Sequence, residues 1–231
     1  MKHSKRFKEL KEKVEELYDI PGAIKFIKEN SSTKLDETIE IAVKLGIDPK
    51  KEHVRGASSL PHGTGKTKRV LVFAEGAKAK EAEDAGADFV GSDDYLKKIE
   101  GGWLDFDAIV ATPELMPKIS KFGKLLGPRG LMPNPKTGTL TDDVSKAVQE
   151  VKAGKVEFKM DKGGCLHSPV GKVSFPENKL QENIAQFLKS VWSAKPSSAK
   201  VKNYLKTVYL SSTMGPGLKL DPKSIDQTLK G

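Results

Sequence analysis

Val70-Leu71-Val72-Phe73-Ala74 is an unbroken apolar run, set between Lys68-Arg69 and Glu75-Gly76. A strand with one wet face alternates apolar and polar residues, so an unbroken run marks a strand covered on both faces. Lys78 to Ala85 then reads as a short helix ended by Gly86, and Phe89-Val90 as another short strand. Ser92 is a good N-cap for a helix through Ile99. Ala108-Ile109-Val110-Ala111 is a third covered strand, and Pro113 suits the first turn of the helix that follows. A Gly/Pro-rich loop from Gly127 to Pro135 and a helix from Asp142 to Lys152 close the segment. Strands alternating with helices predict a parallel sheet with helices on both faces, an α/β domain over residues 68–155.

The flanks follow another pattern. Lys5 to Leu17 reads as an amphipathic helix with Phe7, Leu10, Val14 and Leu17 on one stripe. Ile39, Ile41, Val43 and Leu45 alternate with Glu40, Ala42 and Lys44, which predicts a half-buried strand. Val156 to Met160 and Gly171 to Phe175 read as strands and Leu180 to Trp192 as a helix. Val201 to Ser212 contains a strand with Tyr204, Val208 and Leu210 on shared parity. Alternating strands with one wet face predict an antiparallel α+β domain.

Charge separates the same segments. Residues 1–67 hold 14 basic and 11 acidic side chains, residues 68–155 hold 14 of each, and residues 156–231 hold 12 and 6. The whole surplus of +9 therefore lies at the two chain ends. If residues 1–67 and 156–231 fold together, they make one discontinuous basic domain around a neutral insert. Such a domain favours polyanions, although basic residues also serve simply to solubilise a surface.

The other bulk properties are exclusions. A chain of 231 residues makes one or two domains and buries a core without disulfides. Cys165 is the single cysteine, so no internal disulfide or Cys-rich zinc site exists, and a reducing compartment is expected. No apolar run approaches the roughly 20 residues of a membrane span, and Met1 to Leu17 lacks an apolar signal core. A soluble, cytoplasmic protein with no membrane partner is the expectation.

Catalytic motifs are thin. Pro61-His62-Gly63-Thr64-Gly65-Lys66-Thr67 invites a phosphate-loop reading, but Leu60 stands where the first glycine is needed, and the stretch precedes a strand instead of following one. It reads instead as a connector, with Gly63 and Gly65 at the first crossing between domains and Gly154 at the return, a hinge pattern. No G-x-G-x-x-G follows Val70 to Ala74, so the dinucleotide fingerprint is missing. His3, His53, His62 and His167 have no metal-ligand spacing, and no metal or cofactor is expected. Asp93-Asp94 reads as a helix N-terminus or a metal pair. Cys165 shares a strand face with His167, which fits a thiol nucleophile or a passive core residue. Ser211-Ser212-Thr213-Met214-Gly215-Pro216-Gly217 offers hydroxyl donors, a soft apolar knob and close backbone approach. That chemistry suits a wide RNA minor groove with its displayed 2′-hydroxyls, and it equally makes an ordinary turn.

Several stretches together resemble a known family. Leu35 to Glu40, Lys44-Leu45-Gly46-Ile47-Asp48-Pro49, Val54-Arg55-Gly56 and Leu60-Pro61-His62-Gly63 are similar to the N-terminal half of the L-one ribosomal protein family. Gly127-Pro128-Arg129-Gly130-Leu131-Met132-Pro133-Asn134-Pro135-Lys136 resembles its signature loop. His167 through Gly171-Lys172 and Ser212-Thr213-Met214-Gly215-Pro216 resemble its C-terminal motifs, in order and across nearly the entire chain. The resemblance implies a discontinuous α+β RNA-binding domain with a Rossmann-like α/β domain inserted in it. It implies a non-enzymatic protein, monomeric off the ribosome, that binds large-subunit ribosomal RNA and forms the mobile stalk near the transfer-RNA exit site. It further implies help in releasing deacylated transfer RNA, and repression of its own messenger RNA through a mimic of the ribosomal site. The RNA contacts it implies are Lys34, Leu35, Thr38, Glu40, Thr207, Ser211, Thr213, Met214 and Gly215; Lys162, His167 and Lys172 are further RNA-binding candidates, the two lysines for phosphate. Bacterial relatives commonly carry Phe where this chain has Leu35, so any ring stacking there becomes plain apolar contact.

Overall fold

The structure, a computed structural model, describes residues 4–31, 34–197 and 204–230. In chain order it begins with α1 (Lys5–Glu12), α2 (Ile20–Asn30), β1 (Thr38–Leu45) and β2 (Arg55–Ser59). Next come β3 (Val70–Phe73), α3 (Ala77–Asp84), β4 (Phe89–Gly91), α4 (Asp93–Glu100) and β5 (Ala108–Ala111). The short helices α5 (Met116–Ser120) and α6 (Gly123–Leu126) and the longer α7 (Val144–Lys152) follow, with 3-10 turns at Pro113–Leu115 and Pro135–Thr137. The chain returns through β6 (Lys155–Lys159), β7 (Cys165–Lys172), α8 (Glu177–Ser193), β8 (Leu205–Ser212), β9 (Leu218–Lys219) and α9 (Pro222–Lys230). Two compact units result, one from residues 1–65 with 156–231 and one from residues 66–155. The insert thus starts at Lys66, slightly ahead of Lys68.

The inserted unit is an α/β sandwich around a parallel sheet of order β4-β3-β5. All four residues of β3 are buried, as the unbroken apolar run requires. Leu71, Phe73, Ile109 and Ala111 pack on one side with Ile99, Ile119 and Leu126. Val70, Val72 and Val110 pack on the other with Ala82, Val148 and Val151. The final helix starts at Val144, where the Asp143 carboxylate accepts the Lys146 N–H, two residues later than expected.

The terminal unit carries a sheet of order β7-β1-β8-β9, with β1 antiparallel to β7 and β8. Ile39, Ile41, Val43 and Leu45 face inward with Leu166, Val170, Val208 and Leu210. Ile20, Ala23, Ile24 and Ile27 of α2 and Leu180, Ile184, Phe187, Leu188 and Val191 of α8 cover that face. A two-stranded sheet, β2 with β6, packs under α8, where Phe158 meets Phe187 edge-on at 5.6 Å.

Two expectations need correction, and one helix had no expectation. The first helix stops at Glu12 instead of Leu17, because Tyr18 is drawn into a bridge with Leu220: Tyr18 N–H donates to Lys219 O, and Asp221 N–H donates to Tyr18 O. Leu17 is left 43 % exposed. The strand expected at Gly171 to Phe175 lies upstream at Cys165–Lys172, and Phe175 is in the turn after it. The register slips between Ile39 and Glu40, whose partners are Gly171 and Pro169, so Val170 is an extra residue in β7. That bulge breaks the period-2 pattern on which strand reading depends. Helix α2 was not foreseen; Pro21 and Gly22 suggest a breaker, yet they sit in a first turn capped by Asp19, which accepts the Gly22 N–H. Of the segment from Val201 to Ser212, residues 201–203 lie outside the described residues, and the strand itself runs from Leu205.

Candidate nucleic-acid interface

On the side of the terminal sheet away from α2 and α8, the outward positions of β1, β7 and β8 are half-buried or exposed. Cross-strand register decides what it displays. Glu40 lies between Ser211 and Pro169, Ala42 between Tyr209 and His167, and Lys44 between Thr207 and Cys165. The bulge at Val170 restores parity, so Lys172 comes opposite Thr38 on this same face. Gly171 permits the bulge: its φ is 157°, and a Cβ there would stand 2.7 Å from Leu180 Cδ2. From Thr38 to Lys44 the face is about 20 Å long, at roughly 3.4 Å per residue.

One end of the face is a hydrogen-bonded cluster. Lys172 Nζ donates to Thr38 Oγ1 at 2.8 Å and to Asp36 O at 3.2 Å. Two of its three N–H donors are thereby directed, and the third remains for an anion. Thr213 Oγ1 accepts the Thr38 N–H at 3.0 Å and donates to Thr38 O at 3.3 Å. Its hydroxyl therefore splices the turn after β8 onto the start of β1. Met214 N–H donates to the buried Glu37 carboxylate at 3.1 Å, and Arg6 donates to Met214 O at 3.0 Å. Gly215 N–H closes the turn on Ser212 O, and a Cβ on Gly215 would stand 2.6 Å from Ser212 Oγ. Held in this way, the Met214 side chain is 54 % exposed and Leu35 is 78 % exposed, two apolar knobs beside a lysine and two threonines.

The opposite end is looser. His167 Nε2 lies 3.9 Å from Asp161, and Lys162 is exposed in the turn before β7. The Asp161 carboxyl is held below its ordinary value, first by the Cys165 backbone N–H and less by the Gly163 N–H, His167 and Lys44, against a desolvation cost. The side chain of Glu40, in the middle, has no hydrogen bond or ion pair among the described residues and is exposed. Lys34 is exposed just before Leu35, and Thr207 and Ser211 are half-buried on the face. Thus one face and its two ends bring together all twelve residues. Tyr209 was missed: it sits between Thr207 and Ser211 on the same parity with 40 % of its surface exposed. That parity was readable in the sequence.

The alternatives fare differently. Cys165 is half-buried at the Lys44 end of the same face as His167, with its backbone N–H spent on Asp161. Among the described residues no group of His, Cys, Asp and Glu could hold a metal. Asp93 and Asp94 lie in the first turn of α4, and Lys118 binds Asp93 at 2.9 Å and Glu75 at 3.7 Å. A parallel sheet binds nucleotides at the carboxyl ends of its strands, and there a phosphate would meet Glu75, Asp93 and Asp142. Gly63, Gly65 and Gly154 all have positive φ. The buried Asn183 holds the first crossing, donating to Gly63 O at 2.9 Å and Val170 O at 2.8 Å while accepting the His62 N–H at 3.1 Å.

The profile of the family described as Ribosomal protein L1p/L10e matches residues 27–216. The large ribosomal subunit protein uL1 of Protochlamydia amoebophila (strain UWE25) is 52% identical over 231 residues, covering 98% of each chain. With most of its length matched by the family profile and a relative 52% identical across nearly the whole of both chains, this chain belongs to the ribosomal protein L1p/L10e family.

Proposed function

We propose that the bare face of the β7-β1-β8 sheet, with the Met214 turn at its end, is the surface that grips ribosomal RNA, and that residues 1–65 with 156–231 are the RNA-binding domain. The protein is a structural constituent of the large ribosomal subunit that binds ribosomal RNA, and it is not an enzyme. The observation that carries the assignment is the cluster of Lys172, Thr38 and Thr213 beside exposed Met214 and Leu35. A shallow RNA minor groove presents 2′-hydroxyls and base edges, which hydroxyl side chains and the Glu40 carboxylate can bond while Met214 fills the groove floor. Lys172 supplies one phosphate contact. The finer roles extend this reading: a stalk near the transfer-RNA exit site, help in releasing deacylated transfer RNA, and repression of the protein's own messenger RNA through an RNA that imitates the ribosomal site. Off the ribosome we take the protein to be a monomer, with motion between its units at Gly63, Gly65 and Gly154. A gel shift with the stalk RNA, competed by unrelated transfer RNA, tests the core of the proposal. Thr213→Val and Lys172→Gln should each weaken specific binding; unchanged affinity in both would place the RNA site elsewhere.

A further inference from the structure

The neutrality of the inserted unit is an average over two unlike regions. Between Glu114 and Asp142 there is no acidic residue, yet there are five basic ones: Lys118, Lys121, Lys124, Arg129 and Lys136. The rest of residues 68–155 carries nine basic side chains against fourteen acidic ones. The separation is also spatial in kind. Leu115, Ile119 and Leu126 of this stretch are buried on the β4-β3-β5 sheet, with Phe122, Leu131 and Met132 packed against them. Lys121, Lys124, Arg129 and Lys136 are exposed on the outside of that layer.

Most other cations of the unit are paired, and Lys80, Lys97 and Lys146, which have no side-chain partner among the described residues either, stand among acidic neighbours in the sequence. Arg69 binds Asp105 and Asp107, Lys78 binds Asp142, Lys152 binds Asp88, and Lys155 binds Glu150. Lys98 lies over the Tyr95 ring at 4.5 Å. Lys118, the inner member of the basic stretch, is taken by Asp93 and Glu75. The four outer members have no side-chain hydrogen bond or ion pair among the described residues. Leu125 beside them is 46 % exposed, one of few large apolar side chains so exposed among the described residues. A solvated face would mix signs; this one excludes acid over the whole stretch and leaves an apolar contact in the middle. A guanidinium fork, flexible ammonium groups and no fixed pocket match a run of phosphates better than a single small anion.

We propose that Lys121, Lys124, Arg129 and Lys136 form a second RNA contact, one that reads backbone phosphates and not sequence. It rests on the RNA-binding reading above but uses a different unit and different chemistry. The sheet face selects its RNA by hydroxyl and base contacts, while this patch adds affinity for any RNA backbone within reach, in a salt-dependent way.

The test uses the full chain and two RNAs, the stalk RNA and an unrelated transfer RNA, titrated from low to moderate salt. In Lys121→Gln/Lys124→Gln/Arg129→Gln, transfer-RNA binding should fall at least five-fold at low salt. Its log–log salt slope should drop by about two, from three contacts at roughly 0.7–0.9 each. A control replaces Lys80, Lys97 and Lys146 by Gln and removes the same net charge; it should lose less than half as much. Equal losses in the two variants would reduce the effect to net charge and overturn the patch. Unchanged transfer-RNA binding with lost binding to polyglutamate would make the surface a dock for acidic protein and also overturn it. If the sheet reading fails instead, Thr213→Val leaves stalk-RNA affinity intact whatever this patch does, so the two failures are told apart.

Discussion

The two units of this protein contain sheets of opposite exposure. In the inserted unit every residue of β3 is buried; in the terminal unit β1 alternates buried and open positions along its length. A sheet sandwiched on both sides can offer only its loops to a partner. A sheet with one open side can offer a whole array of side chains in fixed register. On the proposed assignment the specific surface belongs to the terminal sheet, and the insert contributes charge on the outside of its covering layer.

The largest effect that could break this contrast comes from separating the units. A chain joining residues 1–65 to 156–231 through a short linker should keep stalk-RNA affinity within about ten-fold of the whole protein, about 1.4 kcal/mol. The insert alone, residues 66–155, should bind the same RNA at non-specific strength only, weaker by a factor on the order of a thousand. Tight specific binding by the insert, measured by filter retention, would reverse the assignment.

Thr213→Val sharpens the contrast within the terminal unit. It leaves the Thr38 N–H without its acceptor and should weaken specific RNA binding by roughly ten-fold, or about 1–3 kcal/mol. Circular dichroism should show the fold intact. Because the hydroxyl already serves Thr38, the effect works as much through the placement of β1 as through direct contact. Rescue by Thr213→Ser but not by Thr213→Val would demonstrate that the hydroxyl is what matters.

Asn183→Ala comes next. It abandons the buried Val170 carbonyl, worth about 1–3 kcal/mol when unpaired, and the half-buried Gly63 carbonyl and His62 N–H at the first crossing. A melting point lower by several degrees is expected for the terminal unit, with little change in the insert.

The smallest effects are in pH. Burial pushes the Tyr204 phenol up to about 12, with Glu52 adding to it. A raised phenol favours the neutral form in the folded state, so its stabilisation is full below about pH 10 and is lost as pH rises through about 12. Tyr204→Phe should remove that alkaline loss from the terminal unit, read by thermal melts between pH 9 and 12. In the insert, Asp107 is held below its ordinary value first by the Arg69 N–H. Asp88 is also lowered: burial opposes its charge, but the Val70 N–H and Lys152 outweigh burial. Depressed carboxyls stabilise above the unfolded value of 3.8 and stop doing so as pH falls through their folded values. Asp88→Asn should therefore flatten the acid side of the insert's stability curve.

How legible was this in the sequence? The insert was easy, because its strands are continuous apolar runs whose partners lie close by in the chain. The terminal sheet was readable as alternation at β1 and β8, but β7 was misplaced, since Pro169 and the Val170 bulge interrupt the alternation there. Helix α1 was overextended because its stripe continues at helical spacing past the point where Tyr18 joins Leu220. The identities of the contact residues came from motif resemblance. Their arrangement did not, because the face depends on pairings between distant segments. Tyr209 shows the cost: without register, nothing set it beside Ala42 and His167.

Register over such distances also sets an order of events during synthesis. Thr38 meets Lys172 across 134 residues and Thr213 across 175. The insert, whose contacts are local, is complete in the emerging chain before β7 and β8 exist, and domains generally fold as units as they appear. Until then β1 holds its apolar edge open, with neither neighbour available to pair. The Met214 turn lies close to the C-terminal end of the sequence and is what fastens the first residue of β1. If the proposed face is the RNA site, an interrupted chain can fold its insert yet has no RNA-reading surface: only a chain made past the Met214 turn can claim a place on its RNA.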